Sequence, residues 1–276
     1  MVFDHSIRST SEHFEDIIDT LGRPVRPYLP VVSRFLIVAT FYEDALRILV
    51  QWKYQCIYLE NSRHFPRFLA QAFLALNVVA MCIASTSIIG KKWVGSSTCV
   101  LTSVIVAQAL AYGLVFDMAF FIRNLSVTGG LLMCLSESLL RRRSKNVFAA
   151  LPQLSESERH KYFQLAGRIM LVLLFLAFVI NGEWSLLRGA ASLISLAACL
   201  MIIVGFRAKW SATLLVTCLC VMNVLVNNWW SVHHSYSTRD FLKYDFFQTL
   251  SIMGGFLLLI SIGPGGLSYD EKKKEF

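Results

Sequence analysis

At 276 residues the chain is long enough for one large domain, but 55% of its side chains are hydrophobic and its mean hydropathy is +0.56, which excludes an ordinary water-soluble fold. The formal net charge of +8 does not point to nucleic acid, because the lysines and arginines fall mostly between apolar runs rather than in one aromatic-studded patch. Of the seven cysteines, Cys82, Cys99, Cys134, Cys199, Cys218 and Cys220 lie inside apolar runs and read as small core residues, leaving Cys56 as the one placed where it could oxidise.

Met1 to Arg26 carries acids and lacks the apolar centre of a signal peptide, so the first span is expected to do the targeting. Within it, Phe14, Ile17, Ile18 and Leu21 recur at helical spacing beside Glu12, Glu15, Asp16 and Asp19, which predicts a short amphipathic helix over Ser11 to Leu21. Pro24, Pro27 and Pro30 end it, and Pro30 suits the first turn of the next helix.

Apolar runs then predict eight spans: 31–50, 68–90, 94–116, 122–140, 165–180, 186–206, 211–230 and 246–262. The first holds Arg34, Glu43, Asp44 and Arg47, charges too costly to face lipid and therefore expected to point into the bundle. An even number of spans puts both termini on one side. With that side cytosolic, the cytosolic segments carry Arg8, Arg23, Arg26, Lys91, Lys92, Arg141, Arg142, Arg143, Lys145, Arg159, Lys161, Arg207, Lys209 and the three tail lysines, while the luminal ones carry only Lys53, Arg63, Arg67, Arg123, Arg239 and Lys243. A seven-span arrangement, with the charged first segment lying on the surface, stays open.

The two halves resemble each other. SRFLIVATF (Ser33 to Phe41) parallels GRIMLVLLF (Gly167 to Phe175), IIGKKW (Ile88 to Trp93) parallels VGFRAKW (Val204 to Trp210), and TGGLL (Thr128 to Leu132) parallels MGGFL (Met253 to Leu257). The expectation is an all-α polytopic membrane protein, an eight-helix bundle built from two parallel four-helix repeats at about 31–140 and 165–262, with the glycine pairs at close helix contacts. A cytosolic segment (1–30) precedes the bundle (31–262), and a cytosolic tail (263–276) follows it.

In that tail Lys273 and Lys274 sit fourth and third from the last residue, the spacing of the dilysine address that retrieves membrane proteins to the endoplasmic reticulum. At the luminal ends of the spans lie Glu43, Asp44, Asp117, Glu183 and Asp245, beside Arg47, Arg123, Asn124, Asn223, Asn227, Trp229, Trp230 and Gln248. Such a mouth of carboxylates and aromatics suits a cationic group, for instance a protein's free α-amino end, although the same acids could equally pair with Arg47 and Arg123 to hold helices together. Glu137 and Arg168, both near cytosolic ends, are expected to form a structural ion pair. Adjacent His233 and His234 do not make a metal site, Asn124-Leu125-Ser126 abuts the membrane too closely to be glycosylated, and no phosphate loop, zinc signature or nucleophile elbow appears. No enzyme, metal or cofactor is expected.

The stretches TFYEDALR (Thr40 to Arg47), FDMAFFIRNL with TGGLLMCLSES (Phe116 to Ser138), QLAGRIMLVL (Gln164 to Leu173), VGFRAKWSA (Val204 to Ala212), DFLKYDFFQT with its glycine pair (Asp240 to Gly255), and GPGG with DEKKKEF together resemble the Surfeit locus protein 4 family, over almost the full chain. The resemblance implies a cargo receptor that gathers soluble secretory proteins in the lumen, enters COPII vesicles and returns through COPI on its dilysine tail. It further implies recognition of newly exposed cargo N-termini with apolar side chains. The residues here that would serve are Glu43, Asp44, Asp117 and Asp245 for the amine and Trp229 and Trp230 for the apolar groups, with Arg47, Arg123, Asn124 and Gln248 around them. Phe276 is either a terminal export signal or a tolerated part of the retrieval address. The implied location is the membranes of the endoplasmic reticulum, the intermediate compartment and the Golgi. A scramblase or small-solute transporter is the alternative reading of the same buried charges; a purely structural organiser of the early secretory pathway is a third.

Overall fold

The computed structural model describes residues 27–146, 161–173, 196–206, 208–231, 236–263 and 268. The amphipathic segment 11–21, the connection 147–160, His233 and His234, Glu183, and the tail with Lys273 and Lys274 lie outside the described residues, whereas the basic run Arg141 to Lys145 falls within a described helix. Those described are helical, with no strand among them: α1 (Leu29–Val50), α2 (Trp52–Arg63), α3 (Arg67–Ile89), α4 (Val94–Tyr112), a 3-10 turn (Leu114–Phe116), α5 (Met118–Asn146), α6 (161–173), α7 (196–204), α8 (Ala208–Val226) and α9 (Tyr236–Ile262).

Helices α3, α4, α8 and the 238–262 part of α9 are long and apolar enough to cross a bilayer by length and composition alone. Helix α1 fails that test only because of its charges, and its packing resolves the difficulty: Arg34, Glu43 and Asp44 are buried, while Val31, Phe35, Leu46, Leu49 and Val50 face outward. The charges are turned inward as the cost of exposing them to hydrocarbon requires. Pro30 occupies the first turn of α1, where its missing N–H costs nothing. Helix α5 is about 43 Å long at 1.5 Å per residue, so it outruns a bilayer core and carries Arg141 beyond the apolar zone. Leu76, Ile83, Val106, Leu110, Leu200 and Leu225 stand outward on other helices, a surface that only lipid tolerates. The chain is an all-α polytopic membrane protein.

The segment Gln51 to Arg67 is more than a connection. Its helix α2 buries Cys56 and Leu59, with Lys53, Tyr54, Ile57 and Tyr58 outside. Arg63 donates to the Tyr112 carbonyl and lies over Gly113, where any Cβ would meet the guanidinium and where φ is +68°. Tyr112 Oη donates to Gln55 Oε1 at 2.8 Å, and the Tyr58 and Tyr112 rings stack at 5.8 Å. These contacts fasten α2 across the end of α4. They also place Cys56 in the packed interior rather than where it could oxidise, and burial pushes its thiol pKa up.

The centre of the bundle is a double glycine crossing that follows the internal repeat atom by atom. A Cβ on Gly129 would meet Met170 Cβ at 2.8 Å, the Gly167 carbonyl at 2.9 Å and the Leu171 nitrogen at 3.0 Å. A Cβ on Gly254 would meet the Ser33 carbonyl at 2.7 Å, the Ile37 nitrogen at 2.8 Å and Leu36 Cβ at 2.9 Å. Ser33, Leu36 and Ile37 align with Gly167, Met170 and Leu171 in the two repeats, so α5 packs on α6 just as α9 packs on α1. Gly130 and Gly255 face each other where the two crossings meet. Ser126 Oγ donates to the Met170 carbonyl at 3.0 Å and Ser251 Oγ to the Ile37 carbonyl at 2.6 Å, closing both crossings with a hydroxyl. Helix α1 therefore finds its most extensive neighbour in the last helix, α9. Around this crossing sit the fully buried Ile37, Leu131, Leu171, Ile202 and Phe256.

At the end that charge assigns to the cytosol, Arg34 makes a two-pronged pair with Glu137, Nε donating to Oε2 at 2.9 Å and Nη2 to Oε1. Arg141 Nε adds a bond to Glu137 Oε1 at 2.8 Å. The expected Glu137–Arg168 pair is thus corrected: Glu137 on α5 faces α1, and Arg168 on α6 reaches the Ile202 carbonyl at 3.3 Å instead. The loop residue Lys91 lies near this cluster, where burial first and then the Arg34 and Arg141 charges lower its pKa.

Candidate functional site

The opposite end of the bundle holds a continuous polar network on α1, α4, α5 and α9. One turn of α1 supplies Glu43, Asp44 and Arg47. The Arg47 guanidinium pairs with Asp44 Oδ1, and Gln108 Nε2 donates to Asp44 Oδ2 at 2.6 Å, so both Asp44 oxygens are engaged. Arg47 also lies 5.0 Å over the Tyr244 ring, a cation–π contact that joins α1 to α9. Further along the same interface, Gln51 Nε2 donates to Asp240 Oδ2 at 2.5 Å.

On the α5 side, Arg123 pairs with Asp245 and sits 5.9 Å over Phe241. Gln248 Nε2 donates to Tyr244 Oη at 2.8 Å and reaches Asn124 Oδ1 at 3.5 Å. Asn223 Nδ2 bonds the Phe246 carbonyl at 3.2 Å and its Oδ1 accepts from Asn227 at 2.8 Å, carrying the polar end across to α8. Trp229 lies under the Arg239 guanidinium at 5.6 Å and against Trp230 at 6.1 Å; Trp230, half exposed, meets the edge of Phe246 at 5.8 Å.

The pairing expected as the structural role of these acids is present for Asp44 and Asp245. Glu43 differs. It is buried, its Oε1 lies 3.6 Å from Lys243 Nζ, and its Oε2 has no hydrogen-bond partner. Gln248 Oε1, Arg47 Nε and Trp229 Nε1 are likewise buried without partners. Unanswered acceptors and donors at one end of a bundle are expensive unless something supplies their complements.

The sequence-predicted residues therefore fall into three groups. Glu43, Asp44, Arg47, Arg123, Asn124, Asp245 and Gln248 are brought together, and Trp229 and Trp230 form an aromatic step beside them. Asp117 is exposed at the start of α5, where its Oδ1 accepts the Phe120 N–H at 3.1 Å and caps the helix. Gln108, Asp240, Lys243 and Tyr244 were missed. Gln108 is a lone amide in an otherwise apolar span, and that isolation was the only signal available. Ser126 is fully buried, which removes the Asn124-Leu125-Ser126 acceptor from use.

A polytopic helical bundle whose ionisable side chains gather at its two ends around a close-packed glycine crossing defines a multi-pass membrane protein with a polar centre near one mouth. The chain belongs to the SURF4 family, whose model matches residues 9–276. It is 43% identical over 265 residues to Surfeit locus protein 4 homolog of Schizosaccharomyces pombe, covering 95% of this chain and 87% of that one. It is 38% identical over 273 residues to ER-derived vesicles protein ERV29 of Saccharomyces cerevisiae, with 98% and 85% covered. The Drosophila melanogaster Surfeit locus protein 4 homolog is 36% identical over 262 residues, with 95% and 96% covered. No solved structure matches.

Proposed function

We propose that this chain is a cargo receptor of the endoplasmic reticulum membrane, which concentrates soluble secretory proteins for COPII-dependent export and returns from the Golgi by COPI retrieval through Lys273 and Lys274. Membership of a family with a relative named for ER-derived vesicles supports the compartment. The reading assigns no enzymatic step. The observation that carries the binding role is the orphaned Glu43 Oε2 beside a loosely placed Lys243. A cargo α-amino group is an ammonium with three donors; it would take Glu43 Oε2 and displace Lys243, exchanging one cation for another without burying a net charge. The first side chain of the cargo would lie toward Trp229 and Trp230. Asp44, Asp245 and their arginines frame the site rather than bind, because their partners are already in place.

The test is quantitative proteomics of luminal and secreted proteins after depletion, with rescue by wild type, by Glu43→Gln, or by Lys273→Ser with Lys274→Ser. A defined set of soluble proteins should accumulate in the endoplasmic reticulum and be released by wild type only. Glu43→Gln should reach the membrane but fail to rescue, and the lysine variant should drift to the Golgi. Unchanged secretion with altered lipid distribution would replace the receptor by a scramblase.

A further inference from the structure

At the end that charge assigns to the cytosol, the cations are not balanced. Among the described residues the acid near the Arg34 end of α1 is Glu137, and it is accompanied by Arg34, by Lys91 and Lys92 in the loop between α3 and α4, and by Arg141 on α5. Glu137 Oε1 accepts from both guanidiniums and Oε2 accepts from Arg34 Nε, so one carboxylate is spent on two arginines lying side by side. Four positive charges accompany one negative charge, which leaves three. Arg34 is buried, and its Nη1 has no hydrogen-bond partner. Arg141 is the looser of the pair, with its side chain 51% exposed and held through Nε. Lys91 and Lys92 are exposed, and the Lys91 backbone is left-handed at φ +58°. Burial first and then the two guanidiniums lower the Lys91 pKa, so its ammonium shares their surroundings. Trp93 follows, 79% exposed and left-handed at φ +51°. A bulky side chain is seldom held in that conformation, and an outward indole beside two lysines suits the headgroup level of a bilayer.

We propose that this patch is a headgroup site for a phosphorylated inositol lipid, whose phosphomonoester rests between Arg141, Lys91 and Lys92 and answers Arg34 Nη1 with one oxygen. Charge favours that ligand over other anionic lipids. A phosphomonoester carries about −1.5 to −2 at neutral pH, and the lipid's own phosphodiester adds one more, which together come close to the three positive charges left over. Phosphatidylserine brings one net negative charge and an ammonium that the lysines repel. The donors fit as well: a guanidinium presents planar N–H groups to phosphate oxygens, and lysines add mobile point charges. For an oxygen to reach Arg34 Nη1, Arg141 has to turn outward. Held by one bond and half exposed, it is able to, and its own Nη groups then meet the same phosphate. An acidic protein segment would also supply charge, but the outward Trp93 puts the patch at the membrane surface, where lipid headgroups are already at hand. The site owes nothing to cargo binding, which is read at the opposite end of the bundle.

The test uses the full chain solubilised in detergent, with a fluorescent short-chain phosphatidylinositol 4-phosphate whose anisotropy reports binding. Unlabelled dioctanoyl phosphatidylinositol 4-phosphate should compete about tenfold better than dioctanoyl phosphatidylinositol or phosphatidylserine, which lack the phosphomonoester. Lys91→Gln with Lys92→Gln should weaken binding by about thirtyfold and Arg141→Gln by about fivefold, on the scale of one basic residue at an anionic surface for each charge removed. Lys209→Gln, at the same end but on α8, should leave binding unchanged. Equal competition by the three lipids, or unchanged binding in the loop pair, would overturn the assignment. Competition by inorganic phosphate or inositol 1,4-bisphosphate as strong as by the lipid would give the patch to a soluble phosphate, and equal competition by a hexaglutamate peptide would give it to an acidic protein segment; either result sinks the lipid. If Arg141→Gln does not fold, the loop pair, whose side chains are exposed, decides alone. No cargo or coat protein enters the assay, so the receptor reading stands or falls separately.

Discussion

The glycine crossing makes a graded prediction from four positions in one small region. Exchanging a helical glycine for alanine gains about 0.5–1 kcal/mol of backbone entropy, while forcing a methyl into a packed contact costs about 1–3 kcal/mol. At Gly129 and Gly254 the new Cβ would lie 2.7 to 3.0 Å from carbonyl oxygens and amide nitrogens of the facing helix, which cannot rotate aside. Both alanine variants should lose about 1–2 kcal/mol net, and by similar amounts, because the facing atoms are equivalent. At Gly255 the closest atom is the end of the Leu171 side chain at 2.7 Å, which can yield, so the loss should be smaller. At Gly130 the nearest atom is 3.6 Å away and the entropy gain should win, leaving alanine neutral or stabilising. The assay is the apparent melting midpoint of detergent-solubilised protein, read by the fraction that still elutes as a monodisperse peak after heating. Equal effects at Gly129 and Gly130, or a large difference between Gly129 and Gly254, would refute the paired-crossing argument.

Glu137→Ala should cost about 3–5 kcal/mol in the same assay by leaving Arg34 buried and unpaired, whereas Arg34→Met with Glu137→Leu should come close to wild type. Gln108→Leu should lower stability by about 1.5–3 kcal/mol, since it strips one partner from the Asp44 carboxylate; Gln108→Glu should do worse by adding a like charge. Cys56 should react slowly with a water-soluble maleimide at neutral pH and faster as pH rises, because burial raises the thiol pKa and the thiolate reacts; Leu59→Ala, which loosens the packing of α2, should remove most of that protection at fixed pH.

Much of this architecture is written in local pattern. Charges in an apolar span can go only inward, so the burial of Arg34, Glu43 and Asp44 follows from composition. The repeated glycine pairs mark close contacts because nothing else permits them. Partner choice is another matter. Arg34 and Arg168 occupy equivalent places in their repeats, and which of them meets Glu137 is decided by α5 lying beside α1 at that end, a fact of tertiary geometry. Gln108 escaped notice because hydropathy averages a single amide away, although in an apolar span each amide must find a partner. The helix 52–63 was hidden for a related reason: its mixed polar and aromatic residues suit the rim of the bundle rather than water or lipid alone. Asp117 looked like one more acid of the mouth, and only the course of the chain after Phe116 shows that it starts a helix.

The exchange of partners between the halves has a consequence for synthesis. Helix α1 is the first span made, yet its main neighbour, α9, is the last, so Glu43 waits for Lys243, and Arg47 for the Tyr244 ring, through roughly 200 further residues, about 10–40 s of translation. During that interval Glu43 has no stable counterpart in the bilayer. An insertion chaperone that shelters polar segments would be needed most at this stage, and nascent chains truncated before α9 should be the ones that cells degrade.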